Sequence, residues 1–529
     1  MGFVYLPHSE IRHEIRHPLP LTTKQQTSLN AGKNDVVKRE ITSSAELESC
    51  WNNADADNEA AALSARGDTQ IIGSPDHPSF VHPVVKVLHE RRKRNQSAAD
   101  SKDKNQKIAL VIEGGGMRGC VTGGMVCAID YLGLRDCVDV VYGSSAGSVI
   151  GAYFITGQLP WFGPEVYYDQ LTTAGKSFID TGRLLRALGL GLLNPKLFKD
   201  VLFRRNAGKP LLNLDFLLQK SMQQQKPLNW ESFVGRQEVQ PLKIIASGLK
   251  KEDLVVMSYQ DKDFESLVEL SKCMHASALL PGIAGPMANL LVDEDPQKPK
   301  FVLKNNLKDQ SYEPLADALV YAPIPYEVAM QEGATHMIVL RSKPDGGDVI
   351  GKGGSFGEKL VWSRFFLRKN KLSNIYERLT KQLHKKLYAK NVLELNEAAI
   401  ESPESKLPPT LTVAIPETIK EVPRLEVGRE AIFEGVRDGF ARAYDSLVED
   451  PSLRGKGYEV AKQYFPDEIL DYNPREMLAI QAKLGQEGKS AFETYLEQTG
   501  VWPKAWEGLT EPPLGNSSDR TTVTRKGSK

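Results

Sequence analysis

The first 78 residues show no sustained period of apolar positions and read as a disordered leader. Residues 83–94 have the spacing of a short basic helix, and residues 95–106, NQSAADSKDKNQ, read as a polar linker. Order is then expected abruptly. Lys107–Glu113, KIALVIE, is an apolar, β-branched run that predicts a buried strand, ending in Gly114-Gly115-Gly116. A helix is predicted over Gly119–Leu132. A second short strand, Val138–Tyr142, runs into Gly143-Ser144-Ser145-Ala146-Gly147, and a helix of small residues continues to Thr156. Strand, glycine turn and helix, twice over, predict a parallel sheet with right-handed crossovers.

Further strands are expected at Leu242–Ala246, Leu254–Ser258, Thr335–Leu340 and Thr410–Ile415. Residues 346–357 are glycine-rich and predict a flexible loop, residues 358–400 a long helical stretch, and Glu426–Leu447 a closing amphipathic helix. The chain therefore divides into a leader and linker (1–105), an α/β domain (106–345), a helical part packed on it (346–447) and a polar extension (448–529).

The chain has 529 residues, with 67 Lys plus Arg balancing 67 Asp plus Glu. Zero net charge argues against nucleic acid as a partner and leaves electrostatic attraction to local patches. The five cysteines form no CxxC pair or Cys/His cluster, so they are read as reduced intracellular thiols, with no metal site. No apolar run is long enough to span a bilayer, which predicts a soluble or peripherally membrane-associated protein. Residues 1–44 are polar and mix basic and hydroxyl residues with acids, a composition compatible with organelle targeting.

The turn Gly143-Ser144-Ser145-Ala146-Gly147 is a GxSxG pattern between a predicted strand and a predicted helix. That context exposes the central hydroxyl, Ser145, above the sheet edge, and the helix N-terminus favours negative charge there. Gly114-Gly115-Gly116-Met117-Arg118-Gly119 follows the first strand, and its backbone N–H groups can converge on an anion such as a tetrahedral oxyanion. The same six residues satisfy the GxGxxG spacing of a dinucleotide loop, for which Asp136 or Asp139 would be the acidic partner. A second glycine-serine turn on the adjacent strand is what an acyl hydrolase needs and a dinucleotide site does not.

A serine nucleophile needs a base. Of nine histidines, only His275 lies in a plausible context, before Ala276-Ser277-Ala278-Leu279-Leu280-Pro281. A carboxylate can serve instead. Asp317 opens the segment Asp317-Ala318-Leu319-Val320-Tyr321, whose small and apolar residues would raise its pKa by desolvation.

Taken in order, GGGMRG, GSSAG, the Ala276–Pro281 block, the Asp317 segment, Pro323-Ile324-Pro325 and Glu332-Gly333-Ala334 resemble the patatin-like phospholipase family over residues 107–345. The resemblance implies a three-layer α/β/α fold with a mainly parallel central sheet and lipid acyl hydrolase activity without a cofactor. It implies Ser145 as nucleophile and Asp317 as base in a Ser–Asp dyad, with an oxyanion hole at Gly114, Gly115, Gly116 and Arg118, and Gly143 and Gly147 shaping the elbow. One departure stands out: the family's Asp-Gly is here Asp317-Ala318. Were φ positive there, alanine would cost about 1 kcal/mol or more. The alternative reading is then a catalytically weak lipid-binding or scaffold protein of the same fold.

Lys359–Lys390 carries ten Lys or Arg and one acid, interleaved with Trp362, Phe365 and Phe366. Such a segment suits contact with an anionic membrane or lipid-droplet surface, against the simpler reading of a helix packed on the core by its apolar face.

Overall fold

The protein is described by a computed structural model over residues 38–52, 63–69, 79–94, 106–180, 212–280, 283–292, 295, 297–351, 359, 362–399 and 405–515. The expected targeting segment (up to residue 37), nearly all of the linker 95–106, residues 352–358 around the glycine-rich loop and the basic tail from 516 lie outside the described residues.

The segment expected as disordered leader is partly folded. Strand β1 (Arg39–Ile41), helix α1 (Ser44–Asn52) and strand β2 (Leu63–Ala65) form a unit in which β1 and β2 pair in parallel. Ile41, Leu47, Trp51, Leu63 and Ala65 are buried in it. It is pinned to later parts of the chain: Lys38 pairs with Asp348 at 2.6 Å, and the Ser44 amide donates to Glu397 at 2.8 Å. Strands of three residues are too short to show a period in sequence. Helix α2 (Pro83–Lys93) follows, capped by His82 Nδ1.

The central sheet begins with β3 (Ile108–Ile112), α3 (Gly119–Tyr131), β4 (Val140–Ser144) and α4 (Ala146–Ile155). It continues through β5 (Leu242–Gly248), β6 (Asp253–Ser258), α5 (Leu267–Ala278), β7 (Ala288–Leu291), β8 (Phe301–Leu303) and β9 (Tyr312–Ala316). Strand β10 (His336–Leu340), helix α6 (Leu383–Ala399), β11 (Thr410–Val413) and α7 (Arg429–Leu447) complete it. Among the described residues the sheet has nine strands in the order β11-β10-β3-β4-β5-β9-β7-β8, with β6 also paired to β5. The run from β11 to β5 is parallel, and β6, β7, β8 and β9 add antiparallel pairs.

Period-two alternation sorts the two faces. Ile108, Leu110 and Ile112 of β3 join the core with α3, α4 and α7. Ala109 and Val111 face the other core, with Tyr388, Val392 and Leu395 of α6 and the residues of the N-terminal unit. This is the three-layer α/β/α architecture. Helices α3 and α7 cross with their backbones in near contact: a Cβ on Gly439 would lie 1.9 Å from the Val121 carbonyl oxygen, and one on Gly124 1.9 Å from that of Val436.

The expected long helix over 358–400 is interrupted. A π-helical turn spans Ser363–Asn370, a short helix Ser373–Thr380, and α6 follows. Lys371 and Gln382 have φ of 57° and 56°, which break the run. Residues after 448 form further helices at Gly457–Tyr464, Pro474–Leu484 and Ala491–Thr499, and Trp506, Phe492 and Tyr464 are buried in the main core.

Candidate active site

The parallel strands β3 and β4 end side by side, so the two glycine turns meet at one edge of the sheet. Ser145 stands between β4 and α4 with φ 51° and ψ −122°. A non-glycine residue in that region is strained by about 1–3 kcal/mol and persists only where its surroundings fix it. They do so here. The Ser145 amide donates to Ser277 Oγ at 2.8 Å, and Ser277 Oγ donates to the Ile245 carbonyl at 2.5 Å. Ser148 Oγ donates to the Ser145 carbonyl at 2.6 Å. The turn also needs bare backbone beside it: a Cβ on Gly147 would lie 2.2 Å from the Ile112 carbonyl oxygen, and one on Gly143 2.6 Å from Ser148 Cα.

Gly114, Gly115 and Gly116 lie beside this turn. The Gly114 amide donates to Ser144 Oγ at 3.1 Å, which gives Ser144 a structural task. Gly116 has φ +62°, a conformation that favours glycine. The Met117 amide donates to the Arg424 carbonyl at 3.1 Å, and Ser342 Oγ donates to the Gly114 carbonyl at 2.9 Å. Among the described residues the amides of Gly115 and Gly116 have no partner. Arg118 does not join this group. Its guanidinium is buried, donates to the Val422 carbonyl at 3.0 Å and pairs with Glu421, so it fastens the loop to a neighbouring segment.

Asp317 follows β9 and reaches the same point. Its carboxylate accepts the Leu319 amide at 2.8 Å, and the Ser145 hydroxyl is close enough to act on it. Burial raises its pKa to about 6, against the opposing effects of the Leu319 amide, Arg424 and Ser145. Its main chain is fixed on both sides: its amide donates to the Leu279 carbonyl at 3.0 Å, and Ser247 Oγ donates to its own carbonyl at 2.9 Å. Ala318 opens a 3-10 turn over Ala318–Val320 without a positive φ. Alanine in place of the family's glycine therefore carries no backbone penalty.

Ser145, Asp317, the three glycines and Met117 line a cavity of about 570 Å³. Its walls include Val149, Phe178, Leu217, Leu280 and Ile283, and also Lys343, His384, Tyr388 and Arg424. The last four are missed by sequence reasoning because they come from three segments distant from both glycine motifs, His384 and Tyr388 sharing helix α6. Only Ser277, within the Ala276–Pro281 block, carried a signal. His275 takes no part in the cavity lining. Burial lowers its pKa, and its Nε2 lies 3.1 Å from the Pro286 carbonyl. Asp136 and Asp139, the acids a dinucleotide site would use, pair instead with Arg236 at 2.7 Å and Arg91 at 2.8 Å. Among the described residues no group of three or more His, Cys, Asp or Glu side chains is placed to hold a metal ion.

Comparison with known proteins follows this geometry. Residues 110–330 match the family model of patatin-like phospholipases. No curated protein matches the sequence. Among solved structures, the chain is similar to human GIVD cytosolic phospholipase A2 in complex with methyl gamma-linolenyl fluorophosphonate, at 14% identity and a TM-score of 0.28, over 49% of this chain and 43% of that one. It is also similar to VipD from Legionella pneumophila, at 12% identity and a TM-score of 0.27, over 75% of this chain and 80% of that one. The chain thus spans less than half the length of the human protein it matches.

Proposed function

Because residues 110–330 carry a patatin-like phospholipase domain, we propose that the chain is a lipid acyl hydrolase that cleaves fatty acyl esters through a Ser145 acyl-enzyme. The observation that carries this reading is that Ser145 and the buried Asp317 line one cavity beside the glycine loop, with the Ser145 hydroxyl acting on a carboxyl that burial pushes up to about 6. A carboxylate of that pKa is ionised at neutral pH and basic enough to take a proton as the transition state forms.

In the proposed reaction, Asp317 takes the hydroxyl proton while Ser145 Oγ attacks the ester carbonyl. The tetrahedral oxyanion develops within reach of the free amides of Gly115 and Gly116. Such donors are typically worth ~3 kcal/mol each to the transition state. Collapse breaks the ester C–O bond, and the leaving alcohol takes the proton from Asp317. Water then attacks the acyl-enzyme and gives a proton to Asp317. Release of the fatty acid restores the Ser145 hydroxyl, with that proton returned. Arg118 is assigned to holding the loop in shape.

Access to lipid is proposed to be peripheral. No helix of the described residues is long and apolar enough to cross a membrane. Phe365 and Phe366 are buried in the core, while Arg364, Arg368, Lys369 and Lys371 are exposed. The basic stretch Lys359–Lys390 would therefore meet an anionic membrane or lipid-droplet surface by charge alone. Unchanged binding to anionic vesicles after neutralising five of these charges would refute that contact.

The deciding experiment is labelling by a fluorophosphonate together with hydrolysis of a short chromogenic ester and of mixed lipid vesicles. Wild type is expected to be labelled and active, and Ser145→Ala and Asp317→Asn inactive. A folded wild type that is neither labelled nor active would sink the proposal in favour of the non-catalytic lipid binder.

A further inference from the structure

The cavity lining is of two kinds. One is built of Val149, Phe178, Leu214, Leu217, Leu280 and Ile283, which suits an acyl chain. The other carries Lys343, Arg424, His384 and Tyr388. The acids in this polar part are already satisfied. Glu113 accepts from Tyr388 Oη at 2.7 Å and from the Ser342 amide at 2.5 Å. Asp348 pairs with Lys38 at 2.6 Å and accepts the Ile350 amide at 3.1 Å.

The cations there are not matched in the same way. The Arg424 side chain is exposed, has no hydrogen-bond or ion-pair partner among the described residues, and acts by its charge on Asp317. Its main chain is fixed against the glycine loop through the Met117 amide. Lys343 Nζ donates once, to the Asp348 carbonyl at 2.8 Å, which leaves two donors. Burial, followed by Arg118, Arg341 and Arg424, lowers its pKa to about 8. His384 is 6% exposed, and its Nδ1 is buried without a partner. Burial holds its pKa at about 3, so the ring is neutral, and Arg424 is among the charges acting on it. A buried polar atom left unpaired costs about 1–3 kcal/mol. Arg118 does not line the cavity, although its charge acts on Lys343, so the cations that face a ligand come from outside the glycine motif.

We propose that Lys343 and Arg424 form a subsite for an anionic head group carried by the lipid substrate, a phosphate above all. This deepens the acyl-hydrolase reading and rests on it for the placement of the ester at Ser145. The head group contacts the two cations. The acyl chain lies against the apolar part of the lining, and the ester sits at Ser145. Neutral acylglycerols fill the apolar part and leave the polar one unmatched.

The test uses the full-length protein and the rate at which a neutral alkyl fluorophosphonate labels Ser145. Dihexanoyl phosphatidate, dihexanoylglycerol and inorganic phosphate are compared as protecting ligands. Phosphatidate is expected to protect at roughly tenfold lower concentration than dihexanoylglycerol, the value of one charge-assisted hydrogen bond. Arg424→Gln and, separately, Lys343→Gln should each shrink that gap. Equal protection by the two lipids, or a gap that survives both substitutions, overturns the subsite while leaving the acyl-hydrolase reading intact. Protection by inorganic phosphate as strong as by phosphatidate assigns the subsite to free phosphate and overturns the lipid head-group assignment. If Ser145 is not labelled at all, the acyl-hydrolase reading fails. Calorimetric binding of phosphatidate to wild type and Arg424→Gln then decides the subsite alone: weaker binding by the variant supports it, and equal binding overturns it.

Discussion

Ser277 holds Ser145 by the backbone: its Oγ accepts the Ser145 amide at 2.8 Å and passes its own proton to the Ile245 carbonyl at 2.5 Å. The strained φ of 51° at Ser145 is thereby tied through helix α5 to strand β5. Ser277→Ala leaves a polar group unpaired, at about 1–3 kcal/mol. It also frees the turn to relax. Ester hydrolysis should lose kcat more than KM, because the nucleophile is misplaced while the cavity is unchanged. Equal loss in both, with an unaltered melting temperature, would remove Ser277 from this positioning role.

Asp317 makes activity and stability depend on pH in opposite senses. Its folded pKa of about 6 lies above its ordinary value of 3.8. The base form grows as pH rises through 6, so kcat/KM should climb across pH 5–7 and level off. Between about pH 4 and pH 6 the folded state holds a proton that the unfolded state has already released. Stability therefore falls as pH rises from about 4 to about 6. Above pH 7, Asp317→Asn should abolish hydrolysis and raise the melting temperature, by up to roughly 1–3 kcal/mol of stability. Thermal melts of both proteins at pH 4 and pH 7.5 check the sign, since the gain should vanish at the lower pH.

Ala318→Gly restores the dipeptide seen in the family and should bring no gain. Ala318 has no positive φ, and its methyl group is 1% exposed in the core beneath the sheet. Glycine adds unfolded-state entropy and deletes a buried methyl, about 1 kcal/mol or somewhat more together. Steady-state kinetics should give an unchanged or lower kcat. An increase of severalfold would show that alanine does misplace Asp317.

The parts of the fold legible in sequence are those whose constraint is local. Residues 108–112 announce a buried strand by an unbroken apolar run. Residues 143–147 announce a strained turn because only small side chains tolerate it. The strands Arg39–Ile41, Leu63–Ala65, Ala288–Leu291 and Phe301–Leu303 are too short to show a period, and Tyr312–Ala316 contains a proline. Site residues that act through tertiary contact are invisible for the same reason. Ser342 and Arg424 sit in ordinary polar surroundings in sequence and reach the glycine loop only when strand β10 and the segment after β11 pack beside it. His384 lies next to Lys385 and Lys386, which suggests a solvated helix face. In the fold those lysine side chains stay half-exposed while the imidazole between their turns is buried.

Gly439 separates stability from chemistry. Its missing Cβ lets α7 press onto α3 at residues that do not line the cavity, with 1.9 Å left between that position and the Val121 carbonyl oxygen. Gly439→Ala must push the helices apart, at about 1–3 kcal/mol or more. The melting temperature should drop, while the rate per molecule still folded at low temperature stays near wild type. Retention of the full melting temperature would mean that the two helices have room to slide.

The extension after residue 448 should prove part of the fold. Trp161, from the segment after α4, packs edge-on against Phe492 at 5.0 Å, lies 6.1 Å from Trp506 and donates from Nε1 to the Tyr464 carbonyl at 2.8 Å. Beside it, Lys226 and Glu165 form an ion pair with no exposure on either side. Glu165 accepts further bonds from the amides of Ala491 at 2.8 Å and Phe492 at 3.0 Å. Ending the chain at Val448 would strip those amides from a buried carboxylate and bare a tryptophan. Loss of partners around a buried pair typically costs about 3–5 kcal/mol. Trp506→Ala tests the same packing with a single side chain, at about 3–5 kcal/mol. Both proteins should melt at lower temperature and bind a hydrophobic dye at temperatures where the full chain does not. A truncated chain that melts with the wild type would place residues 449–515 outside the cooperative core.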